Sequence, residues 1–483
     1  MHAFALSFSD MSLIVAFYGA FALAFAAAGP TFFWGCILVA IGAILISLVL
    51  GEVSSHWPLE GGIYQWTLEQ TGPKPAWFSS WAYWWTSVFA IPACAYPAAS
   101  FILSGLGVAA PTKLQTIGLA ILIVAVGVAI NVFTQAIMKW FFSIVLVAEL
   151  GTTIVLGVVF FVAYRTQPWS VLFHSFNTAH NSGINWLLVG WMGAVAFMGW
   201  NFLGFEVAGA IGEEVHDAAR NVPRAIVGVC VLLCALVVFV TLAFILATPD
   251  IGKAMSGNVA DPVMETISYH LGAGFVKPVL LLISLGFIGS MVANNTFGSR
   301  LLYAFSRDNM IPGSKAFVVL SKTRKLPYVA VIFTAAAAVV VLLINIPLEK
   351  VYATLISVAV LSWYVSYAFP VFSQLILHAQ KRYRPAAFNL GRASYLVTIL
   401  ASLWIVIEII NVCWPRSPSL SWYQNWGVLV VGVGVAVAGV IVYLLAPRHE
   451  GQLGAVPSGV RAHGLPASVE GVAEDKAFTE SPH

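Results

Sequence analysis

The stretch GWNFLGFEVAGAIGEEV, Gly199–Val215, opens like an apolar helix and then departs from one. An amide at Asn201, a glycine at Gly204 and a carboxylic acid at Glu206 follow in close succession, and Glu213 and Glu214 come after them. In water these residues would be ordinary. In hydrocarbon each is costly, because an unwinding helix exposes N–H and C=O groups with no water to bond them, and a carboxylate at the bilayer centre costs roughly 2.5–3.5 kcal/mol on insertion scales. The meaning of the stretch therefore depends on whether it lies in a membrane.

Composition answers that. The chain has 483 residues, of which 60% are hydrophobic and 9% charged, where soluble domains carry about a quarter charged. Apolar runs of the ~20 residues needed to cross a bilayer are read at 5–28, 31–54, 77–107, 114–134, 137–164, 186–212, 223–247, 275–305, 327–346, 350–377, 393–412 and 425–446. Each is too long for the alternating pattern of an outer-membrane strand, so the backbone bonds must close within helices. The predicted fold class is an all-α membrane protein with twelve transmembrane helices, and the opening stretch straddles the end of span 6.

With the N-terminus placed in the cytoplasm, the inner connections carry 17 of the 23 Lys and Arg residues and the outer ones 6. That asymmetry predicts a multi-pass protein of the cytoplasmic membrane with both termini inside. No basic face interleaved with aromatics suggests nucleic acid. The cysteines Cys36, Cys94, Cys230, Cys234 and Cys413 lie in or beside apolar spans without metal-ligand spacing and read as small core residues, with neither a disulfide nor a metal expected. The first apolar run is too long for a cleavable signal and is expected to stay as a helix. The tail 447–483, rich in Gly, Pro, Ser and Ala, reads as a disordered cytoplasmic end.

A pair of interrupted spans in matching positions of two halves is the sequence pointer to an inverted repeat. Five spans before span 6, span 1 reads SFSDMSLIVAFYGAFALAF, with Ser7, Ser9, Asp10 and Ser12 leading toward Gly19. The predicted organisation is a transport core at 1–377 built as five plus five helices, helices 11 and 12 at 378–446, and the tail. After span 2, Pro58, Gly61 and Gly62 in GEVSSHWPLEGGIYQW (Gly51–Trp66) end the helix before an amphipathic stretch, which reads as a cytoplasmic elbow. Asp250–Leu271 is long for a connection and is expected to hold a short outer helix acting as a lid.

Four segments then combine: GEVSSHWPLEGGIYQW after span 2, GFEVAGAIGEEVHDAARNVPRAI across spans 6 and 7, SRLLYAFSRDNMIPGS after span 8, and FNLGRASY before span 11. Together they resemble the amino acid/polyamine/organocation permeases, most closely their amino acid/choline transporter branch, over nearly the whole chain. The resemblance implies a five-plus-five inverted repeat of the leucine transporter type with helices 1 and 6 broken, and a substrate held at mid-membrane between the breaks. It implies a substrate-binding set of Val15, Ala16, Phe17, Tyr18 and Gly19 in span 1, Trp200, Asn201, Leu203, Gly204 and Phe205 in span 6, Asn294 in span 8 and Tyr364 in span 10. Where the branch shows a small residue pair in the break of span 1, this chain has Val15 and Ala16 before Phe17.

Naked peptide groups at such breaks suit a zwitterion, since half-helix N-termini attract carboxylates and exposed carbonyls accept ammonium hydrogens. Coupling and gating roles fall to Glu149, Glu206, Ser290 and Asp10. Glu206 would cap free amides of the broken helix, titrate, or pair with a cationic substrate. By the resemblance, Glu149 stands where relatives carry a lysine that fills a sodium site; an acid there would bind a proton, help bind sodium, or simply bond a neighbouring helix. Ser290 matches the sodium-site face, and Asn294 one turn on would face the pathway, with ordinary interhelical hydrogen bonding as the alternative. Asp10 is expected to join an inner gate with Arg or Lys. Glu408 is expected in packing or an oligomer contact. Arg220, Arg224, Arg300 and Arg307 would latch onto Glu213, Glu214 and Asp308 or anchor to anionic lipid.

The expected function is secondary active permeation of an amino acid or amine, coupled to H+, by alternating access. An obligate exchanger and a non-transporting nutrient sensor are the alternatives. No cofactor is expected: the chain lacks a G-x-x-x-x-G-K-[ST] loop, and no span pairs a nucleophile with a base, so an enzyme is not expected either.

Overall fold

A computed structural model describes residues 7–446 apart from 9, 60, 109–110, 134, 177, 179–183, 185, 256–260, 322–325 and 347–349. Side chains at 133, 135–139, 210–211 and 213–214 also lie outside the description, as does the whole tail 447–483. Ten helical stretches are long and apolar enough to cross a membrane, and the first is two helices, Leu13–Ala28 and Phe32–His56, joined by the tight turn Gly29–Thr31. A shorter apolar helix, Tyr328–Ile344, stands at the position of span 9. An apolar helical segment thus occupies each of the twelve predicted positions.

Span 3, Pro73–Gly105, packs mainly against span 8, Ala273–Arg307, and span 10, Val351–Ala379. Its proline at the first helical position fits a site whose N–H would be unpaired anyway. Span 2 packs along span 7, Ala218–Ala247. At the periphery, span 12, Gly427–Leu445, turns Leu429, Val433, Val437 and Val440 outward at helical spacing, the stripe a helix presents to lipid.

The two predicted irregular connections are both present. Span 2 ends at His56, Gly61 and Gly62 take φ of 112° and 51°, and the elbow helix Ile63–Thr71 follows. On the other side of the bundle, Ile251–Met255 and Pro262–Leu271 form two short helices where one was expected. Lys253 Nζ reaches Glu265 Oε1 at 2.7 Å and ties one to the other. Asp261 caps the second by accepting the N–H of Val263 at 2.8 Å and of Met264 at 3.3 Å.

Spans 1, 5 and 6 depart from regular helix. Span 5 runs as Gln135–Glu149, a wide π turn Leu150–Ile154, and Val155–Ala163. Such wide turns insert one residue into the ladder and often mark functional positions. The four cysteines in spans 2, 3 and 7 are buried and Cys413 is half-buried; none forms a disulfide.

Candidate functional site

Span 6 is α-helical over Met192–Met198 and tightens to a 3₁₀ turn over Gly199–Phe202. It then opens at Leu203 (φ −110°, ψ 155°) and Gly204, and resumes at Phe205–Glu214. Gly204 has φ of 100°, a conformation that costs any residue with a Cβ. A Cβ there would also lie 2.5 Å from Asp10 Oδ2. Its N–H donates to Tyr367 Oη at 3.2 Å, so the interruption leaves that amide satisfied.

Span 1 is interrupted earlier than predicted. Ser12, at φ 42°, is the break, and Leu13–Ala28 is continuous helix. Val15, Ala16, Phe17, Tyr18 and Gly19 therefore lie within continuous helix, not at an unwound stretch of naked peptide groups. The reason is local: Ser12 Oγ accepts the Val15 N–H at 3.2 Å, so a side-chain cap starts the helix before the bulky run. The Ser12 hydroxyl donates in turn to Glu149 Oε1 of span 5.

The segment of span 1 before its break and the segment of span 6 after its break are bound to each other. Ser7 Oγ donates to the Phe205 carbonyl at 3.0 Å and accepts the Ala208 N–H at 2.7 Å. Asp10 lies against Gly204, and its carbonyl accepts Ser290 Oγ of span 8 at 3.3 Å. Cys94 of span 3 donates to Ser290 at 3.6 Å, and Asn294 Nδ2 donates to the Ser290 carbonyl at 3.0 Å. Asp10, Gly204, Ser290 and Asn294 from the predicted set thus converge.

The buried acids differ in what surrounds them. Glu206 Oε1 accepts Tyr83 Oη at 2.7 Å and Trp363 Nε1 at 3.2 Å, and its Oε2 accepts Tyr367 Oη. Its partners are aromatic side chains of spans 3 and 10. Glu149 has one oxygen on Ser12, while Oε2 and the hydroxyls of Thr152 and Thr153 have no hydrogen-bond partner. Asp10, 6% exposed, has none at either oxygen. The expected pairing of Asp10 with Arg or Lys is absent: the ion pairs among the described residues are Arg220–Asp217, Lys253–Glu265 and Arg307–Asp308. The last of these, at 3.6 Å, joins neighbours in sequence and so ties no two elements together, while Asp308 also accepts Tyr64 Oη from the elbow at 2.7 Å. The side chains of Glu213 and Glu214 lie outside the described residues. Glu408 accepts Asn411 Nδ2 at 3.3 Å inside span 11.

Above the break, residues of spans 1, 6, 7 and 10 touch one another. Tyr352 Oη of span 10 donates to the Gly19 carbonyl at 2.9 Å, and a Cβ on Gly19 would sit 3.0 Å from that oxygen and 3.1 Å from Trp200 Nε1. Phe17 packs on Tyr18 and on Phe244 of span 7, each at 4.8 Å between ring centres. Tyr364 packs against Gly199 at the start of the tightened turn. A cavity of about 380 Å³ lies elsewhere, lined by apolar groups such as Trp81, Trp84, Phe305 and Phe333 of spans 3, 8 and 9. Its lining does not suit a polar solute.

Sequence reasoning missed Glu52, near the C-terminal end of span 2. It is fully buried and accepts Leu390 N–H at 2.6 Å, Ser394 Oγ at 2.6 Å and Tyr383 Oη at 3.1 Å. Two motifs that carried the resemblance, GEVSS and FNLGRASY, meet here. An acid inside a predicted span was the available signal.

An apolar helical bundle with two interrupted helices joined at a buried, acid-bearing point defines a membrane permease architecture. The amino acid permease family matches residues 1–437. An uncharacterized amino-acid permease of Schizosaccharomyces pombe is 24% identical, with 93% of this chain and 82% of that protein covered. An amino-acid permease BAT1 homolog of Oryza sativa is 24% identical, covering 92% and 90%. The amino-acid permease BAT1 of Arabidopsis thaliana is 23% identical, covering 83% and 82%. The chain belongs to the amino acid permease family.

Proposed function

We propose that the protein is a secondary active permease of the cytoplasmic membrane, both termini inside, moving an amino acid or small amine by alternating access. H+ entry drives the transport. The observation that carries this reading is the convergence of Asp10, Ser12, Gly204 and Ser290 at two interrupted helices, with Glu149 on Ser12. Backbone and acid groups concentrated at one point in hydrocarbon are expensive unless they bind something there. In a five-plus-five arrangement, rocking one bundle about that point would expose it to each side in turn.

Glu149 is the proposed proton carrier, since its carboxylate is shared between one hydroxyl and an unpaired side. Each positive charge entering across 100 mV contributes about 2.3 kcal/mol. The chain is proposed to act without chemistry on its solute, consistent with a family of permeases. In proteoliposomes holding an imposed proton gradient, uptake should concentrate substrate and stop when the gradient is collapsed. Glu149→Gln should retain counterflow but lose concentrative uptake. Concentrative uptake by Glu149→Gln with unchanged pH dependence would remove the residue from coupling, and counterflow alone in the wild type would favour obligate exchange.

A further inference from the structure

We propose that the apolar cavity between spans 3, 8, 9 and 12 holds one acyl chain of an anionic phospholipid, with the headgroup on Lys315. The inference goes beyond transport and does not depend on which solute is carried. At about 380 Å³ the cavity falls within the roughly 300–1,000 Å³ of ligand sites. Its walls include Trp81 and Trp84 of span 3, Phe305 of span 8 and Phe333 of span 9, and Ile311 and Ala316 of the connection after span 8 complete it. These side chains have no polar atom left to offer. The indole N–H of Trp81 donates to the Val435 carbonyl of span 12 at 2.9 Å, and that of Trp84 to Thr334 Oγ1 at 3.2 Å. A ligand there must be apolar along its buried length.

Position and charge name that ligand. Span 3 begins at Pro73, span 9 begins at Tyr328 and span 8 ends at Arg307, so the lining residues stand toward one face of the bundle. At 1.5 Å per residue, Trp84 lies about 16 Å along span 3 from its start, close to half of a ~30 Å hydrocarbon core. Phe333 lines the cavity and is 44% exposed, so the mouth opens on span 9, where Ile332 and Val340 are also exposed. A lipid chain can enter there sideways from the bilayer. The rim is cationic: Lys315 is exposed next to the lining residue Ala316 and takes part in none of the described ion pairs. The connection 313–327 has four Lys or Arg and no Asp or Glu. A cation beside an apolar slot at headgroup depth matches an anionic phospholipid, with one chain in the slot and the other left in the bilayer. A sterol or a neutral lipid would fill the slot without using the charge. Under the orientation proposed above, this face is the cytoplasmic one, where anionic lipid concentrates.

The test uses the full-length protein purified in dodecyl maltoside. Thermal shift is read against added dioleoyl phosphatidylglycerol or dioleoyl phosphatidylcholine, and retained lipid is counted by native mass spectrometry. The wild type should retain phosphatidylglycerol and show a melting temperature that rises saturably with either lipid. Half of the rise should come at about fivefold lower phosphatidylglycerol, the selectivity one lysine gives beside an anionic headgroup. Lys315→Glu, a change at an exposed position, should abolish that preference, and Lys315→Arg should keep it. Ala316→Trp fills the cavity from an exposed position and should remove both the retained lipid and the saturable rise. Equal half-saturation by the two lipids in the wild type, or a preference that survives Lys315→Glu, would overturn the headgroup assignment. Lipid retained by Ala316→Trp as by the wild type would place it outside the cavity and overturn the site. So would saturation by oleate or cholesteryl hemisuccinate at lower concentration than by phosphatidylglycerol, which would give the cavity to another occupant.

Discussion

At the scale of single residues, Gly204 and Glu206 show how one short stretch divides its labour. Gly204 supplies the backbone conformation, and the strain of a Cβ at its φ of 100° is of order 1–3 kcal/mol before the collision with Asp10 is counted. Gly204→Ala should therefore reduce uptake more than tenfold in protein that still elutes as a single species from size exclusion. Glu206 fixes the inner piece of span 6 to spans 3 and 10. Tyr367→Phe removes a donor to Glu206 and the acceptor of the Gly204 N–H together, and hydrogen bonds to charged groups contribute about 1.5–3 kcal/mol. It should lower the melting temperature in detergent more than Tyr83→Phe does, because Tyr83 serves Glu206 alone. Equal effects would remove Gly204 from the explanation.

At the scale of elements, caps and latches decide which segments hold. Asp261 starts the outer helix Pro262–Leu271, and its burial raises the carboxyl above its ordinary 3.8 even though two N–H bonds favour the anion. The sign follows: the folded state holds the proton more tightly than the unfolded one, so this group's contribution falls as pH rises from 3.8 through the raised value. Asp261→Asn keeps an acceptor without the charge, so wild type should lose melting temperature relative to it as pH rises above the ordinary carboxylate range. Asp261→Ala should cost about 1 kcal/mol as a lost cap. At the C-terminal end of span 2, Glu52→Ala would strand the Leu390 N–H and the Tyr383 hydroxyl, while the Ser394 hydroxyl would keep His378 as its partner. Each buried donor left unpaired costs about 1–3 kcal/mol, and amide exchange over 388–394 should accelerate. Unchanged exchange there would show that this loop is held by other contacts.

For the whole molecule, Tyr352 of span 10 bonds the Gly19 carbonyl beside Trp200, and under the proposed alternating access that contact would hold one side of the pathway shut. Tyr352→Phe removes that bond and keeps the ring. It should shift the population toward the outward-facing side, raising labelling of a cysteine placed at Ala16 by an external thiol reagent several-fold, since about 1 kcal/mol in a two-state equilibrium changes populations about fivefold. No change in labelling would mean that the aromatic packing of Phe17 on Phe244 carries the closure unaided.

Much of this was legible in the chain itself. Hydrophobicity is a local property, so the apolar runs, the elbow at Gly61 and Gly62, the outer connection and the interruption at Gly204 could all be read where they stand. The partners of the polar residues could not. Span 1 breaks at Ser12 and not among Val15–Gly19 because a serine cap meets Glu149, 137 residues away. Glu206 is satisfied by Tyr83, Trp363 and Tyr367, while Asp10, of the same chemical type and beside the same glycine, is left bare. What a carboxylate costs in hydrocarbon depends on donors that folding brings to it, and those donors come from distant parts of the chain whose positions only the packed bundle sets.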